Sequence, residues 1–166
     1  MSLKEVKGDV IVVARKIAKS AGCEVLLPHV CNNVGVMGAG VARSILEAFP
    51  GVDKEYRYAC RTHDGGVMGR TVTEHVEPHL YVMNMICQDG FGDNTGIPPL
   101  RYGALVHCME SVLHLAHSHD EMGVKTAVVA PRFGSGLAGG NWDVIRALII
   151  EIWVSRGLTV VISNYP

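Results

Sequence analysis

The sequence predicts an α/β fold: a three-layer α/β/α sandwich around a mixed central sheet. Three observations predict it. Short apolar runs of strand length alternate with segments of helical periodicity. Two glycine-rich loops, Gly35-Val36-Met37-Gly38-Ala39-Gly40 and Gly134-Ser135-Gly136-Leu137-Ala138-Gly139-Gly140, each follow an apolar run and precede a helix-like segment. Two strand-like runs, 71–76 and 80–86, flank Glu77-Pro78, a spacing that suits an antiparallel pair.

In chain order, residues 6–13 read as a first strand interrupted at Gly8-Asp9, and 14–21 as a short basic helix. Residues 25–30 form a strand in which Pro28 removes a ladder donor, predicting a bulge or a free N–H position. A helix over 41–49 is stopped by Pro50-Gly51, and a second short helix covers 53–61. After the paired strands, 89–99 is a polar loop rich in glycine and proline, long enough to carry function. A long helix over 100–117 buries Leu105, Met109, Val112 and Ala116 on one face. Residues 125–130 read as a strand, apolar from Ala127 onward. Asn141 caps the last helix, whose inner face is Trp142, Ile145, Leu148, Ile149 and Ile152. A strand over 158–163 closes the chain.

The 166 residues suit one domain spanning 1–166 with a substantial core. A net charge of −1 argues against generic nucleic-acid or membrane binding. No run approaches a membrane span, and the N-terminus lacks a signal-peptide pattern. The five cysteines (Cys23, Cys31, Cys60, Cys87, Cys108) are scattered, with no C-x-x-C pair, so a reduced, cytoplasmic chain is expected. No metal is expected: on a helix His107 and His114 stand roughly 10 Å apart, and His114 with His117 lacks a third ligand. No cofactor is expected, and a monomer is.

The glycine loops carry the strongest chemical signal. Glycine lets the backbone approach an anion, and the first-turn amides of a following helix point at it with the helix dipole behind them. Two such loops suit a diphosphate gripped from both sides, by Gly38, Ala39, Gly40 and Val41 in one and Gly134, Ser135, Gly136, Leu137 and Ala138 in the other. Neither is a Gly-x-Gly-x-x-Gly turn with an acidic residue about 20 positions on, which disfavours a dinucleotide-dependent dehydrogenase.

His29, at a strand's end, is the candidate general base or stabiliser of a transferring phosphoryl group; the alternative is a histidine satisfied by neighbouring backbone. Cys31 shares its strand face, as a nucleophile's thiol or as a small buried residue. Asn32 and Asn33 offer carboxamides that both donate and accept, or they shape the turn into the first loop. Gln88 can orient a water or a hydroxyl, or is a loop amide. Phe133 lines a groove or belongs to the core. Asp143 serves a helix dipole. No arginine clamp is visible, so any turnover is expected to be modest.

Four segments together resemble the macro domain family: Lys7-Gly8-Asp9-Val10; His29-Val30-Cys31-Asn32-Asn33 with Gly38-Ala39-Gly40; Tyr81 to Gln88 running into Pro98-Pro99-Leu100-Arg101-Tyr102; and Gly134 to Trp142. The resemblance covers nearly the whole chain and is similar to the bacterial and phage branch of ADP-ribose-1″-phosphate phosphatases. It implies that Asp9 reads adenine with the Val10 amide, that Asn32 (in preference to Asn33) meets the distal ribose, and that the two loops hold the diphosphate. The related yeast phosphatase also has a histidine at the place of His29. The implied activity is hydrolysis of ADP-ribose-1″-phosphate to ADP-ribose and phosphate, with His29, Asn32 and Gln88 at the reacting end. The implied alternatives are a non-catalytic reader of ADP-ribose or ADP-ribosylated macromolecules, and an ADP-ribosyl hydrolase. A related glycohydrolase carries a lysine near Gln88 and an aspartate at the place of Ala138, and this chain has neither. The implied partners are ADP-ribose or ADP-ribose-1″-phosphate, with nucleic acid only as an ADP-ribosylated substrate and no membrane.

Overall fold

A computed structural model describes residues 2–20, 22–63, 66–92 and 96–165. Six strands, β1 (Ser2–Lys7), β2 (Glu24–Asn32), β3 (Thr71–Glu77), β4 (Leu80–Gln88), β5 (Thr126–Pro131) and β6 (Thr159–Asn164), form one sheet in the order β1-β6-β5-β2-β4-β3. All neighbours pair in parallel except β3 with β4, so the sheet is mixed, as expected. Helices α1 (Val10–Ser20), α2 (Gly40–Ala48), α3 (Lys54–Thr62), α4 (Tyr102–Glu121) and α5 (Trp142–Leu148) surround it.

Strand periodicity assigns the two cores. Val25, Leu27, Cys31, Val82, Ile86 and Val129 face one side, with Ala14 of α1, Ile45 of α2 and Tyr56 of α3. Leu26, Met83, Met85, Val128, Ala130, Val160 and Ile162 face the other, with Leu105, Met109 and Val112 of α4 and Ile145 of α5. Central strands buried on both faces read as continuous apolar runs, which is why they were legible. Among the described residues no helix is long and apolar enough to cross a membrane.

Three expectations are corrected. The β-branched run Val10-Ile11-Val12-Val13 reads as strand by propensity, yet it begins α1. Asp9 caps that helix, its Oδ1 accepting from the amides of Ile11 (2.8 Å) and Val12 (3.1 Å). Capping and burial of Val10, Ile11, Ala14 and Ala18 override local preference. In β2 the irregularity falls between Cys31 and Asn32, not at Pro28. Pairing of β2 with β5 covers Glu24–Leu26 alone, so Pro28 lies beyond it, in the free position that was the other alternative. In the last helix, α5 runs on into a π-helical segment, Ile149–Val154. That wider turn rotates Trp153 into the core, where its indole donates to the Met109 carbonyl at 2.9 Å. Trp142 and Leu148 are left half-buried.

Candidate functional site

The sheet order reverses between β5 and β2: the chain moves outward one way after β2 and the other way after β5. Open α/β sheets bind ligands at such a switch, outside the carboxyl ends of the strands. Here β2 and β5 part beyond Leu26 and Val128. A cavity of about 550 Å³ lies over their ends, walled by residues of β2, both glycine loops, Gln88 and Phe91. That volume suits a ligand of nucleotide size.

The first loop is built by Asn32. Its Oδ1 accepts from the amides of Val34, Gly35 and Val36 and from the Tyr56 hydroxyl, while Nδ2 donates to the Val36 carbonyl. The side chain both shapes the turn and touches the cavity, with one Nδ2 hydrogen left for a ligand. The loop delivers the chain to α2, whose N-cap, Ala39, has no side chain able to cap it. The amides of Gly40, Val41 and Ala42 therefore have no partner among the described residues, and all three residues line the cavity.

The second loop faces the first. Leu137 Cδ1 stands 3.7 Å from the position a Cβ on Gly40 would take. The amides of Ser135, Gly136, Leu137 and Ala138 have no partner among the described residues, whereas those of Gly139 and Gly140 bond the carbonyls of Gly136 and Gly134. Its anion-binding capacity comes from these loop amides and not from α5, whose first-turn amides at Asp143 and Val144 are capped by Asn141 Oδ1. The expectation that both loops present a helix N-terminus thus holds for α2 only. The segment Pro98–Tyr102 buttresses this loop. The Leu100 amide donates to the Ala138 carbonyl at 3.1 Å, and the Tyr102 hydroxyl accepts from the Asn141 amide at 2.8 Å.

His29 requires a correction. Its ring is 2% exposed, and Nε2 lies 2.7 Å from Asn84 Oδ1, which makes Nε2 the protonated nitrogen. Asn84 in turn donates to the Val52 carbonyl at 3.1 Å, tying the sheet to the α2–α3 turn. Burial lowers the His29 pKa to about 4, outweighing the upward pull of the Asn84 bond. A base poised near neutrality is not what this environment makes. Cys31, 3.6 Å from Nε2, is buried and its thiol pushed up by that burial, so a cysteine–histidine nucleophile is not set up either.

Stability carries the signature of His29. Unfolded, the imidazole protonates below pH 6.5; folded, it stays neutral down to about 4. The unfolded state therefore binds more protons in that window. Stability is fully present above pH 6.5 and falls as pH drops toward 4, by up to about 3 kcal/mol from this group. In His29→Gln, thermal midpoints measured across that window are expected to fall less steeply than in wild type.

The other candidates separate into wall and scaffold. Gln88, Gly38, Ala39, Gly40, Val41, Phe133, Gly134, Gly136, Leu137 and Ala138 line the cavity with His29 and Asn32. Gln88 Nε2 donates to the Gly90 carbonyl at 2.9 Å, leaving its Oε1 as an acceptor. Phe133 is both wall and core, 4% exposed with its ring edge-on to Trp153. Asn33 is not in the wall: it staples the following loop, donating to Asp89 Oδ1 and accepting from the Gly90 amide. Ser135 bonds the Arg132 carbonyl and also lies outside the wall. Asp9 and Val10 lie outside it as well, although they follow β1 at the same carboxyl edge of the sheet.

Sequence reasoning missed Val36, Phe91 and Arg132 in the wall. Phe91, 60% exposed in a polar loop, was the available signal. Arg132 is an arginine in the wall that the sequence reading did not single out. It follows β5, and its guanidinium sits 4.7 Å above the centre of the Trp142 ring.

No family model matches the chain. It is 28% identical to an uncharacterised 17.5 kDa protein of Enterobacteria phage T4, over 100% of this chain and 99% of that one. It is 24% identical to an ADP-ribose 1″-phosphate phosphatase of Candida albicans, over 90% of this chain and 92% of that one. Among solved structures, a macrodomain protein from Streptomyces coelicolor superposes with TM-score 0.74 at 29% identity, covering 98% of each chain. Thermosipho africanus DarTG in complex with ADP-ribose superposes with TM-score 0.69 at 18% identity, over 99% of this chain and 42% of that one.

Proposed function

We propose, from the premise that this chain belongs to the macro domain family, that its groove binds ADP-ribose and hydrolyses ADP-ribose-1″-phosphate. One observation carries the binding reading: the uncapped N-terminus of α2 faces, across one cavity, the amides of Gly136, Leu137 and Ala138, which have no partner among the described residues. Two sets of free N–H groups on opposite walls match the oxygens of a diphosphate. The Thermosipho DarTG protein, part of which shares this fold, was solved in complex with ADP-ribose, and the Candida relative is named as a phosphatase for the 1″-phosphate.

Asp9 supports adenine recognition in this reading. Oδ1 is committed to the cap, while Oδ2 has no partner among the described residues and can accept from an exocyclic amine. Capping and recognition are separable. Asp9→Asn keeps a cap acceptor and is expected to keep the thermal midpoint while weakening ADP-ribose. Asp9→Ala loses the cap as well, about 1 kcal/mol. Ribose 5-phosphate binding should be nearly unchanged in both. Calorimetry with the two ligands checks this.

The reaction asks little covalent chemistry of the protein. Water attacks the phosphorus of the 1″-phosphate, the P–O bond to the ribose breaks, and the anomeric oxygen leaves with a proton. The transition state is loose, so positioning and electrostatics carry the rate. Gln88 Oε1 orients the water, the remaining Nδ2 hydrogen of Asn32 and the loop amides hold the phosphoryl oxygens, and neutral His29 fixes this end of β2 from behind.

The test is phosphate release from ADP-ribose-1″-phosphate by protein already shown to bind ADP-ribose. Gln88→Ala is expected to lower release about tenfold or more with ADP-ribose affinity kept. The absence of any carboxylate from the described wall favours one second reading, a non-catalytic reader of ADP-ribose. Binding without release by wild type would establish it over the phosphatase.

A further inference from the structure

Arg132 is the one ionised side chain in the cavity wall among the described residues. It makes no ion pair among the described residues. Glu5, whose carboxylate feels the Arg132 charge, is itself bonded to Arg146 at 3.2 Å. Its contact is with Trp142, whose ring lies 4.7 Å from the guanidinium carbon. Trp142 is itself placed by the capped first turn of α5, so the cation is held at a defined position at the end of β5.

The position tells which part of a ligand it meets. Gln88 and Phe91 mark the β4 end of the groove, and the two loops face each other in its middle. Arg132 lies on the other side, toward β6 and β1, where Asp9 follows β1. Glu5 of β1 feels its charge. In the ADP-ribose reading, on which this inference rests, that is the nucleoside end, and the diphosphate already has the amides of both loops.

We propose that Arg132 is the groove's base-stacking residue: with Trp142 beneath its guanidinium, it offers the opposite side to the adenine ring. A planar, weakly hydrated, delocalised cation stacks on π systems in a way a lysine ammonium does not. Nucleobases stack on arginine planes as they do on aromatic rings. The Trp142–Arg132 pair extends the aromatic surface to the ligand, and Asp9 adds the base's hydrogen bond.

Calorimetric titration of ADP-ribose and of ribose 5-phosphate into wild type, Arg132→Ala and Arg132→Lys tests this. Each is expected to lose about tenfold or more in ADP-ribose affinity, lysine nearly as much as alanine, with ribose 5-phosphate little changed. Arg132 is exposed, so unchanged thermal midpoints should accompany the loss. ADP-ribose should also change the tryptophan fluorescence of wild type, through Trp142, where ribose 5-phosphate does not. Full rescue by lysine, or equal losses for both ligands, would overturn stacking in favour of a plain charge contact. Unchanged ADP-ribose affinity in both variants would overturn the role of Arg132 while leaving the ADP-ribose reading standing. Failure of wild type to bind ADP-ribose would overturn both.

Discussion

Gly136→Glu is expected to abolish measurable ADP-ribose binding, a loss of at least about a hundredfold, with the thermal midpoint within about 2 °C of wild type. The asymmetry comes from the position. A Cβ on Gly136 would meet nothing within 4 Å, and the residue does not occupy the left-handed region, so the backbone tolerates a side chain. Gly136 nevertheless lines the cavity beside amides with no partner. A glutamate there brings a negative charge and its bulk to the place proposed for the diphosphate. Gly136→Ala, adding one methyl and no charge, should lose far less. Calorimetry with a parallel melting curve measures both quantities. Wild-type affinity in Gly136→Glu would remove the second loop from the binding site.

Gly140→Ala should behave in the opposite way, with the fold giving first. A Cβ there would lie 2.6 Å from the Gly134 carbonyl oxygen and 2.4 Å from Leu100 Cδ2. The Leu100 side chain can move. The carbonyl cannot easily do so, because it accepts the Gly140 amide at 2.7 Å and closes the loop. The expected cost is about 3 kcal/mol, a fall in thermal midpoint on the order of 10 °C, with ADP-ribose binding weakened through the displaced loop. Saturating ADP-ribose should recover part of the lost midpoint. A midpoint equal to wild type would show that the loop relaxes around the methyl group. The two glycines stand four residues apart in one motif, and only the three-dimensional surroundings distinguish their reasons for being glycine.

That contrast marks what was legible in the sequence. The sheet's inner strands announced themselves because burial on both faces leaves no polar alternation, and the inner face of α4 because Leu105, Met109, Val112 and Ala116 keep one helical stripe. The start of α1 was misread because four β-branched residues outweigh one aspartate in local propensity, whereas capping and core contacts decide in the folded chain. The π-helical turn that buries Trp153 leaves no local pattern. At the site, the two loops were visible as glycine between a strand and a helix. The division of labour inside them was not. Asn32 and Asn33 look alike in sequence, yet one spends its carbonyl on the turn and reaches the cavity while the other staples Asp89 and Gly90. His29 reads as a titratable strand-end residue until the register places it opposite Asn84 in a buried position. Arg132 was hidden because its partner, Trp142, lies ten residues on across the glycine loop.

In the proposed complex a diphosphate sits between the α2 N-terminus and the second glycine loop. Amide NMR spectra recorded while ADP-ribose is added test it most directly, because the proposed ligands are the amides themselves. The largest shifts are expected at residues 39–42 and 135–138, with smaller ones at Asp9 and Gln88. Saturable binding with those amides unmoved, or shifts gathered at the separate hollow formed by Phe49, Val52, Glu74 and Glu77, would contradict it.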